Sequence, residues 1–197
     1  MITLMFVAAG TLLLTGCWQK SVQPFYTSRD IAPDEKLIGA WENSESSQDD
    51  RQRWLFKQAS PQNYTLDLSD SKGNKQQYVA YLFKFEGRRF LDIVTQERSL
   101  STIPAHHLFR ISELSGTMKI APLNTGWVGD YLKENPQALQ HIKVSDPEHA
   151  DDREKDEIIL TADTTALQSF LRKHLDEEKL FADADTLTKV PEKAAVK

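Results

Sequence analysis

Alternation of apolar and polar side chains along the middle of the chain constrains its fold more than any other feature. Residues 64–69 alternate in this way, residues 107–111 repeat the pattern, and four large apolar residues share one face between 79 and 85. Successive residues of a β-strand point to opposite faces, so each segment predicts a strand with a buried face. Turn-forming residues around Gly73 and Gly87 separate the segments. Closely spaced strands without intervening helices predict an antiparallel meander that closes into a barrel or a strongly bent sheet.

Two helical segments follow these strands and are predicted to pack on the barrel. The first covers residues 125–135, where aromatic residues recur at helical spacing before an Asn-Pro pair ends the pattern. Asp163 is a candidate N-cap for the second, which carries an apolar stripe of helical period. The residues of this stripe are Leu167, Phe170, Leu171, His174 and Leu175. With short strands near 142–144, 158–161 and 186–190, the chain is predicted to be mainly β (α+β), an antiparallel meander barrel with two late helices packed on it.

The N-terminal segment carries a separate signal. Residues 2–16 contain no charged side chain, and their apolar stretch is shorter than the roughly 20 residues that cross a bilayer, which is typical of a secretory signal peptide. The run Leu14-Thr15-Gly16-Cys17 then ends in the only cysteine of the chain. It resembles the lipobox of bacterial lipoproteins, in which the cysteine is lipidated and becomes the mature N-terminus. The resemblance implies a signal peptide of residues 1–16, cleavage between Gly16 and Cys17, and an anchor of acyl chains, palmitate among them, on Cys17.

The segment after the cysteine is predicted to be an anchor and a tether. Residues 17–34 are polar, contain two prolines and show no sustained period. Their three aromatic residues have two candidate positions, the membrane interface or the surface of the domain. In the sorting rule of enteric bacteria an acidic residue after the cysteine retains a lipoprotein in the inner membrane; Trp18 is not acidic, so the resemblance implies the outer membrane. Residues 35–190 are predicted to form one barrel domain, and residues 191–197 a disordered tail.

The charge and the cysteine content exclude some classes of function. The formal net charge is −5, and Lys and Arg form no cluster, which argues against nucleic-acid binding. With Cys17 carrying lipid no disulfide can form, so a packed core has to stabilise the domain. The partners implied are the membrane, reached through the N-terminal lipid, and either an apolar small molecule or an envelope protein.

A short glycine–tryptophan motif opens the first predicted strand of the barrel, in the run Gly39-Ala40-Trp41. This motif, followed by a strand meander, a late helix and one more strand, resembles the lipocalin/calycin plan. The resemblance implies that Trp41 closes one end of the barrel and that a basic residue of the last strand packs across its ring. Lys189 is the corresponding residue here. More loosely, residues 37–181 resemble uncharacterised bacterial lipoproteins, which bring no known activity.

Histidines and carboxylates show no spacing typical of a catalytic or metal site. His106 and His107 are neighbours on a predicted strand, so they point to opposite faces and cannot bind one ion together. Residues 146–157 contain seven carboxylates but no glycine for a calcium loop, which favours a solvated charged loop. The sequence lacks a nucleophile elbow, a phosphate loop, a dinucleotide motif and a zinc His-Glu-x-x-His motif. We therefore predict no catalytic residue, no metal, no cofactor and no enzyme activity.

Aromatic residues on the predicted strands give the one positive indication of function for the envelope lipoprotein that the lipobox resemblance implies. If they line an incompletely filled barrel, they bind an apolar or amphipathic small molecule. The residues predicted for such a cavity are Trp54, Tyr81, Phe83, Phe85 and Phe90. In the alternative they fill the core, and the barrel is a non-catalytic interaction or assembly module that presents loops such as 43–50 to an envelope partner. A continuous apolar cavity would favour the first function, and a filled core with an exposed apolar patch the second.

Overall fold

Eight strands form a closed antiparallel barrel, and three short strands extend it on one side. The computed structural model describes residues 18–43, 51–95, 103–144 and 156–191. The strands are β1 (Lys20–Ser21), β2 (Gly39–Asn43), β3 (Arg53–Ser60), β4 (Asn63–Ser69), β5 (Lys75–Phe85), β6 (Arg88–Thr95), β7 (His106–Leu114), β8 (Thr117–Pro122), β9 (His141–Val144), β10 (Glu157–Leu160) and β11 (Asp185–Val190). Strands β2 to β8 pair one after another in chain order, and β11 lies between β8 and β2, which closes the barrel. The predicted meander barrel is confirmed.

Each barrel strand can serve two hydrophobic clusters because its successive side chains point to opposite faces. On β5, for example, Leu82 faces the interior of the barrel and Phe83 faces outward. The interior cluster takes residues from all eight strands, among them Trp41, Trp54, Leu66, Leu82, Leu91, Phe109, Met118 and Leu187. The outer cluster joins four of the strands to the helices, and includes Phe83, Phe90, Leu108, Ala121, Val128 and Phe170.

Two helices, α1 (Thr125–Glu134) and α2 (Thr164–His174), bury the outer faces of these strands. Asn124 caps α1 by accepting the backbone N–H of Trp127 at 3.1 Å. Asp163 caps α2 in the same way at 2.8 Å, as predicted, and such caps typically contribute about 1 kcal/mol. All five residues of the predicted α2 stripe are buried, so the two late helices are confirmed. In the described ranges, neither helix has the length and apolarity needed to span a bilayer.

Strands β1, β10 and β9 form a small sheet that extends from the beginning of β7. β1 pairs antiparallel with β7 through Ser21 and His106, and parallel with β10. β9 pairs antiparallel with β10, and no other described strand pairs with it. One face of the sheet is buried against the outer cluster, where Leu160 and Ser21 are both 0% exposed. The strands predicted near 142–144 and 158–161 are therefore present to within one residue at each end.

The N-terminal segment packs against the barrel instead of leading away from it. Trp18 is 6% exposed and belongs to the interior cluster, and Phe25 is 1% exposed in the outer cluster. The tether predicted for residues 17–34 is therefore wrong for its described part, residues 18–34. Of the two positions considered for its aromatic residues, the one on the domain is observed. The burial comes from partners far along the chain, which a proline-containing segment without a period does not reveal.

Several predicted segments lie outside the described residues. These are the signal peptide 1–16 with Cys17, the loop 44–50, most of the acidic loop, and residues 192–197 of the predicted tail. The lipidation site and the presented loops therefore stay predictions.

Candidate functional site

One end of the barrel, which we call the closed end, is sealed by Trp41 and a 3₁₀ turn at Glu35–Leu37. Trp41 is completely buried, and its indole Nε1–H donates to the carbonyl oxygen of Leu37 at 2.9 Å. Asp34 caps the turn by accepting the backbone N–H of Lys36 at 3.0 Å. The turn positions the carbonyl oxygen of Leu37 to accept the indole N–H. The Trp41 ring therefore fills this end of the barrel and is held there by a hydrogen bond.

Lys189 packs across the ring of Trp41. Its Nζ lies 5.2 Å from the ring centroid and donates to the carbonyl oxygen of Lys36 at 3.2 Å. Lys189 and Trp41 are direct partners in the β11–β2 ladder. Gly39 makes room for the lysine, because a Cβ there would lie 2.8 Å from Lys189 Cε. This is the arrangement that the lipocalin resemblance implies for Gly39, Trp41 and Lys189, and its role is to seal the barrel.

The opposite end, which we call the mouth, is where β6 ends and β7 begins, and Trp18 fills it. The centroid of the Trp18 ring lies 5.0 Å from that of Phe109, 5.6 Å from His107, 6.1 Å from Trp54 and 6.3 Å from Tyr78. These rings come from β3, β5 and β7, and tilted or edge-on pairs at such distances are favourable. The mouth of a β-barrel is a preferred place for a ligand site. Here the protein's own indole occupies it.

Several polar groups are buried with Trp18 at the mouth. Within the part of the chain that the structure describes, Trp18 Nε1 and Gln19 Oε1 have no hydrogen-bond partner. His107 Nδ1 lies 3.2 Å from the carbonyl oxygen of Gln19, so this nitrogen carries the proton and donates. Burial lowers the pKa of His107 to about 4, which leaves the ring neutral at neutral pH. The mouth is thus an apolar site with one unsatisfied polar atom, Trp18 Nε1; the Gln19 side chain lies beside β10 instead, where its Nε2 donates to the carbonyl oxygen of Ile158 at 2.8 Å.

The five residues predicted to line one cavity do not meet in the barrel. Only Trp54 among them points to the interior. The outer cluster under the helices contains Phe83, Phe85 and Phe90. Tyr81 stacks on Tyr26 of the N-terminal segment, with 4.8 Å between the ring centroids. The structure therefore corrects the prediction of a shared cavity. Both faces of β5 are apolar, so its sequence could not tell the interior face from the one that other elements cover.

A buried carboxylate lies on the outer face of the barrel beneath the N-terminal segment. Asp92 on β6 is completely buried, and its Oδ1 lies 2.6 Å from Nδ1 of His106. Its Oδ2 accepts the backbone N–H of Phe25 at 3.2 Å. Burial raises the pKa of Asp92, and the hydrogen bond from His106 opposes this effect. His106 faces outward and His107 inward, as predicted for neighbours on a strand.

The Asp92–His106 pair is the feature that sequence reasoning missed. An aspartate that holds one nitrogen of a histidine is an arrangement that proton-transfer sites use. Here the carboxylate also binds the N-terminal segment, and the His106 side chain is only 14% exposed, so the pair fastens that segment to β6 and β7. A signal was present, because Asp92 is the one polar residue in the apolar run from Phe90 to Val94, and a buried acid needs a partner.

A further histidine is enclosed by aromatic rings between the helices. His174 lies 4.6 Å from Tyr131, 4.8 Å from Phe170 and 5.3 Å from Trp127, measured between centroids. Its Nε2 has no hydrogen-bond partner among the described residues, and burial lowers its pKa. The edge-on approach to Tyr131 and Trp127 suits a contact of the ring N–H with their π-faces. In this cluster the packing stripe of α2 meets the aromatic residues of α1.

In the described ranges, the side chains that could bind a metal ion are dispersed. These ranges contain no group of three or more His, Cys, Asp or Glu side chains placed to hold a metal ion. A solvent-open groove of about 570 Å³ lies beside the closed end; it is lined by Pro33, Glu35, Gln58, Ser60, Pro61 and Tyr64. Its lining is mixed and carries one aromatic ring, so it does not resemble the enclosed apolar pockets that hold small molecules.

Comparisons of the chain with protein-family models, with curated proteins and with solved structures give no match. The lipobox and the lipocalin relationship therefore stay predictions from the sequence. The barrel is sealed at one end by Trp41 and Lys189 and filled at the other by Trp18.

Proposed function

We propose that this chain is a non-catalytic lipoprotein of the bacterial envelope, anchored in the outer membrane through lipid on Cys17, and that its barrel is a rigid interaction module. The observation that supports a module over a carrier is the position of Trp18 among four rings at the mouth. An eight-stranded barrel is just wide enough to be filled by side chains. With its interior taken by its own residues, such a barrel offers its outer surface and loops to a partner.

The anchor is tested by labelling the full-length protein with radioactive palmitate in a bacterial host. We expect label on the wild type, its loss in Cys17→Ser, and wild-type protein in the outer-membrane fraction of a density gradient. Two acyl chains hold a protein on a membrane essentially permanently, so the variant should move to the soluble fraction. Equal labelling or equal membrane retention of the two proteins would overturn the anchor.

The filled interior is tested by secreting residues 18–197 behind a cleavable signal peptide and titrating the product with a fluorescent fatty acid. We expect no uptake by the wild type, because Trp18 occupies the mouth. Trp18→Ala is the matched variant, since removing an enclosed indole leaves a cavity that apolar molecules can enter. A small molecule that co-purifies with the wild type, seen by native mass spectrometry, would contradict the module and favour a carrier.

A ligand-binding barrel is the second candidate, and the unsatisfied indole N–H at the mouth favours it. Trp18 Nε1 is buried without a partner in the described chain. An unsatisfied buried group costs about 1–3 kcal/mol, so a ligand that displaced the indole would let its N–H bond to water. The ligand class is apolar or amphipathic. Fatty-acid uptake by the wild type, with a shift of its tryptophan emission to longer wavelength, is the result that would establish this function.

A further inference from the structure

Three large apolar side chains are exposed in the part of the chain that the structure describes. Ile103 is 72% exposed, Ile142 is 49% and Val144 is 42%. We call these three residues the mouth patch. Single exposed apolar residues need no explanation, but a group of them at one place marks a surface that contacts something apolar.

The register of the small sheet places two of these residues next to the mouth. Ser21 pairs with His106, so both side chains point to the outer face of the sheet. Lys20 is the neighbour of Ser21 on β1 and therefore points to the opposite face, which is continuous with the barrel interior. Lys20 pairs with Ile159, and Ile159 pairs with Ile142, so all three share this face. Neighbouring strands are about 4.8 Å apart, which puts Ile142 about 10 Å from β1. Val144 is two residues further along the same face of β9.

The exposed face of the small sheet is therefore continuous with the interior surface at the mouth. Ile103 lies at the same end of the barrel, three residues before β7 begins at His106. All three members of the mouth patch thus lie at the end of the barrel that Trp18 fills.

The position of Trp18 also fixes where the predicted anchor leaves the domain. Its side chain is enclosed in the mouth, and Cys17 is the next residue toward the N-terminus. Consecutive Cα atoms are about 3.8 Å apart, so acyl chains on Cys17 would enter a bilayer beside the mouth. No stretch of chain is left between anchor and barrel that would let the domain turn its mouth away.

The two described lysines beside the patch are ion-paired, which favours an apolar contact over an electrostatic one. Lys20 Nζ lies 2.7 Å from a carboxylate oxygen of Glu157, and Lys143 Nζ lies 2.5 Å from one of Asp156. Because each of these lysines is paired with an acid, neither is left to attract anionic headgroups. A surface contact made by apolar side chains is insensitive to salt, unlike one made by charges.

We propose that the mouth patch rests on the lipid bilayer, so that the barrel stands mouth-down on the membrane that holds its anchor. This inference rests on the proposed lipidation of Cys17. It adds an orientation and a second contact: Ile103, Ile142 and Val144 lie in the interfacial layer, and the closed end points away from the membrane.

The test uses full-length lipidated protein in phosphatidylcholine vesicles that contain a nitroxide-labelled lipid. Cys17 is blocked by lipid, so an environment-sensitive fluorophore can be attached to Ile142→Cys alone. Gln62→Cys is the matched control, because it is exposed in the β3–β4 turn at the closed end. We expect the label at position 142 to be quenched by the nitroxide lipid, equally at low and high salt, and the label at position 62 to keep its fluorescence.

The possible results of this experiment distinguish a failure of the proposed orientation from a failure of the proposed lipid anchor. Protein that floats with the vesicles but shows no quenching at position 142 keeps its anchor and overturns the orientation. Protein that does not float and carries no palmitate overturns the proposed anchor. Shielding of position 142 in native membranes but not in pure lipid would identify a protein occupant and overturn the bilayer contact.

Discussion

The Oδ1 atom of Asp92 lies 2.6 Å from the Nδ1 atom of His106, so two neighbouring barrel strands share a buried polar contact. The same carboxylate accepts the backbone N–H of Phe25 through its other oxygen. One side chain thus joins β6, β7 and the N-terminal segment. A buried acid is tolerated only while its partners are in place, which makes this pair a sensitive point of the fold.

Replacing His106 with alanine is expected to lower the free energy of unfolding by about 3–5 kcal/mol near pH 7, because it leaves Asp92 buried without its ring partner. Burial raises the pKa of Asp92, so the folded protein holds this proton more tightly than the unfolded chain does. Stability is therefore lost as the pH rises above the ordinary value of 3.8. The cost of His106→Ala should be smaller near pH 4, as urea unfolding at the two pH values would measure.

The control for this prediction removes both polar partners. In the double variant Asp92→Leu/His106→Leu no buried charge is left unpaired, so it should lose less stability than Asp92→Leu and His106→Leu added together. Strict additivity of the two single losses would show that the residues do not interact.

His107 is expected to make the domain less stable in mild acid. Burial lowers its pKa from 6.5 to about 4, so the unfolded chain binds the proton more tightly than the folded protein. Its contribution to stability is full above pH 6.5 and is lost as the pH falls toward 4, by about 3 kcal/mol in all. His107→Leu should remove this part of the pH dependence in urea unfolding. His141→Gln, on the small sheet, is the control, and equal slopes in the two variants would contradict the assignment.

Truncating Trp41 is expected to cost about 3–5 kcal/mol of unfolding free energy, because Trp41→Ala empties a completely buried site at the closed end. Trp127 on α1 is only partly buried, so Trp127→Ala should cost less and serves as the comparison. Chemical unfolding followed by far-ultraviolet circular dichroism measures both variants without relying on their changed fluorescence. A Trp41→Ala domain that unfolds at the wild-type midpoint would show that this indole does not seal the barrel.

Gly39→Ala is expected to destabilise the fold by about 1–3 kcal/mol, because alanine would be strained in this backbone conformation and would clash with Lys189. Gly39 has a φ of +122°, which side chains rarely adopt, and the new Cβ would lie 2.8 Å from Lys189 Cε. Lys189→Ala alone should cost about 0.5–2 kcal/mol through the lost contact with the Trp41 ring. In the double variant the clash is absent, so the total loss should be less than the sum. If the stability losses of the two single variants add in the double variant, the cost of Gly39→Ala comes from backbone strain alone and not from the clash with Lys189.

The parts of the fold that could be predicted from sequence are those with a local period. Alternation along β4 and β7, and the stripe from Leu167 to Leu175, depend on neighbours within a few residues, so they can be recognised without knowing the partner surfaces. The closed end could be predicted from a resemblance, because the lipocalin plan implies places for Gly39, Trp41 and Lys189 in the first and last barrel strands. These residues lie where that resemblance implies.

The parts that could not be predicted depend on contacts distant in sequence. Trp18 is buried by residues of β3, β5 and β7, and nothing in its own neighbourhood indicates this. Both faces of β5 are apolar, so its own sequence does not show whether Leu82 or Phe83 points to the interior. Phe83 points outward because the helices and the N-terminal segment cover that face. That choice decides whether an aromatic face lines a cavity or packs beneath other elements, and with it the prediction of a ligand site.

The place of β11 in the barrel has a consequence for biosynthesis. Residues 185–190 are the last of the eight strands to be translated, and they pair with both β2 and β8. Until they emerge from the ribosome, β2 and β8 each have an unpaired edge, which is a template for association with other chains. Closure joins residues that are 144 (Asn43 and Leu187) to 150 (Ala40 and Val190) positions apart, and such long-range pairing is slow. A chain exported while still unfolded would therefore complete its barrel only after the C-terminal strand has crossed the membrane, and a stop codon before residue 185 would leave an aggregation-prone open sheet.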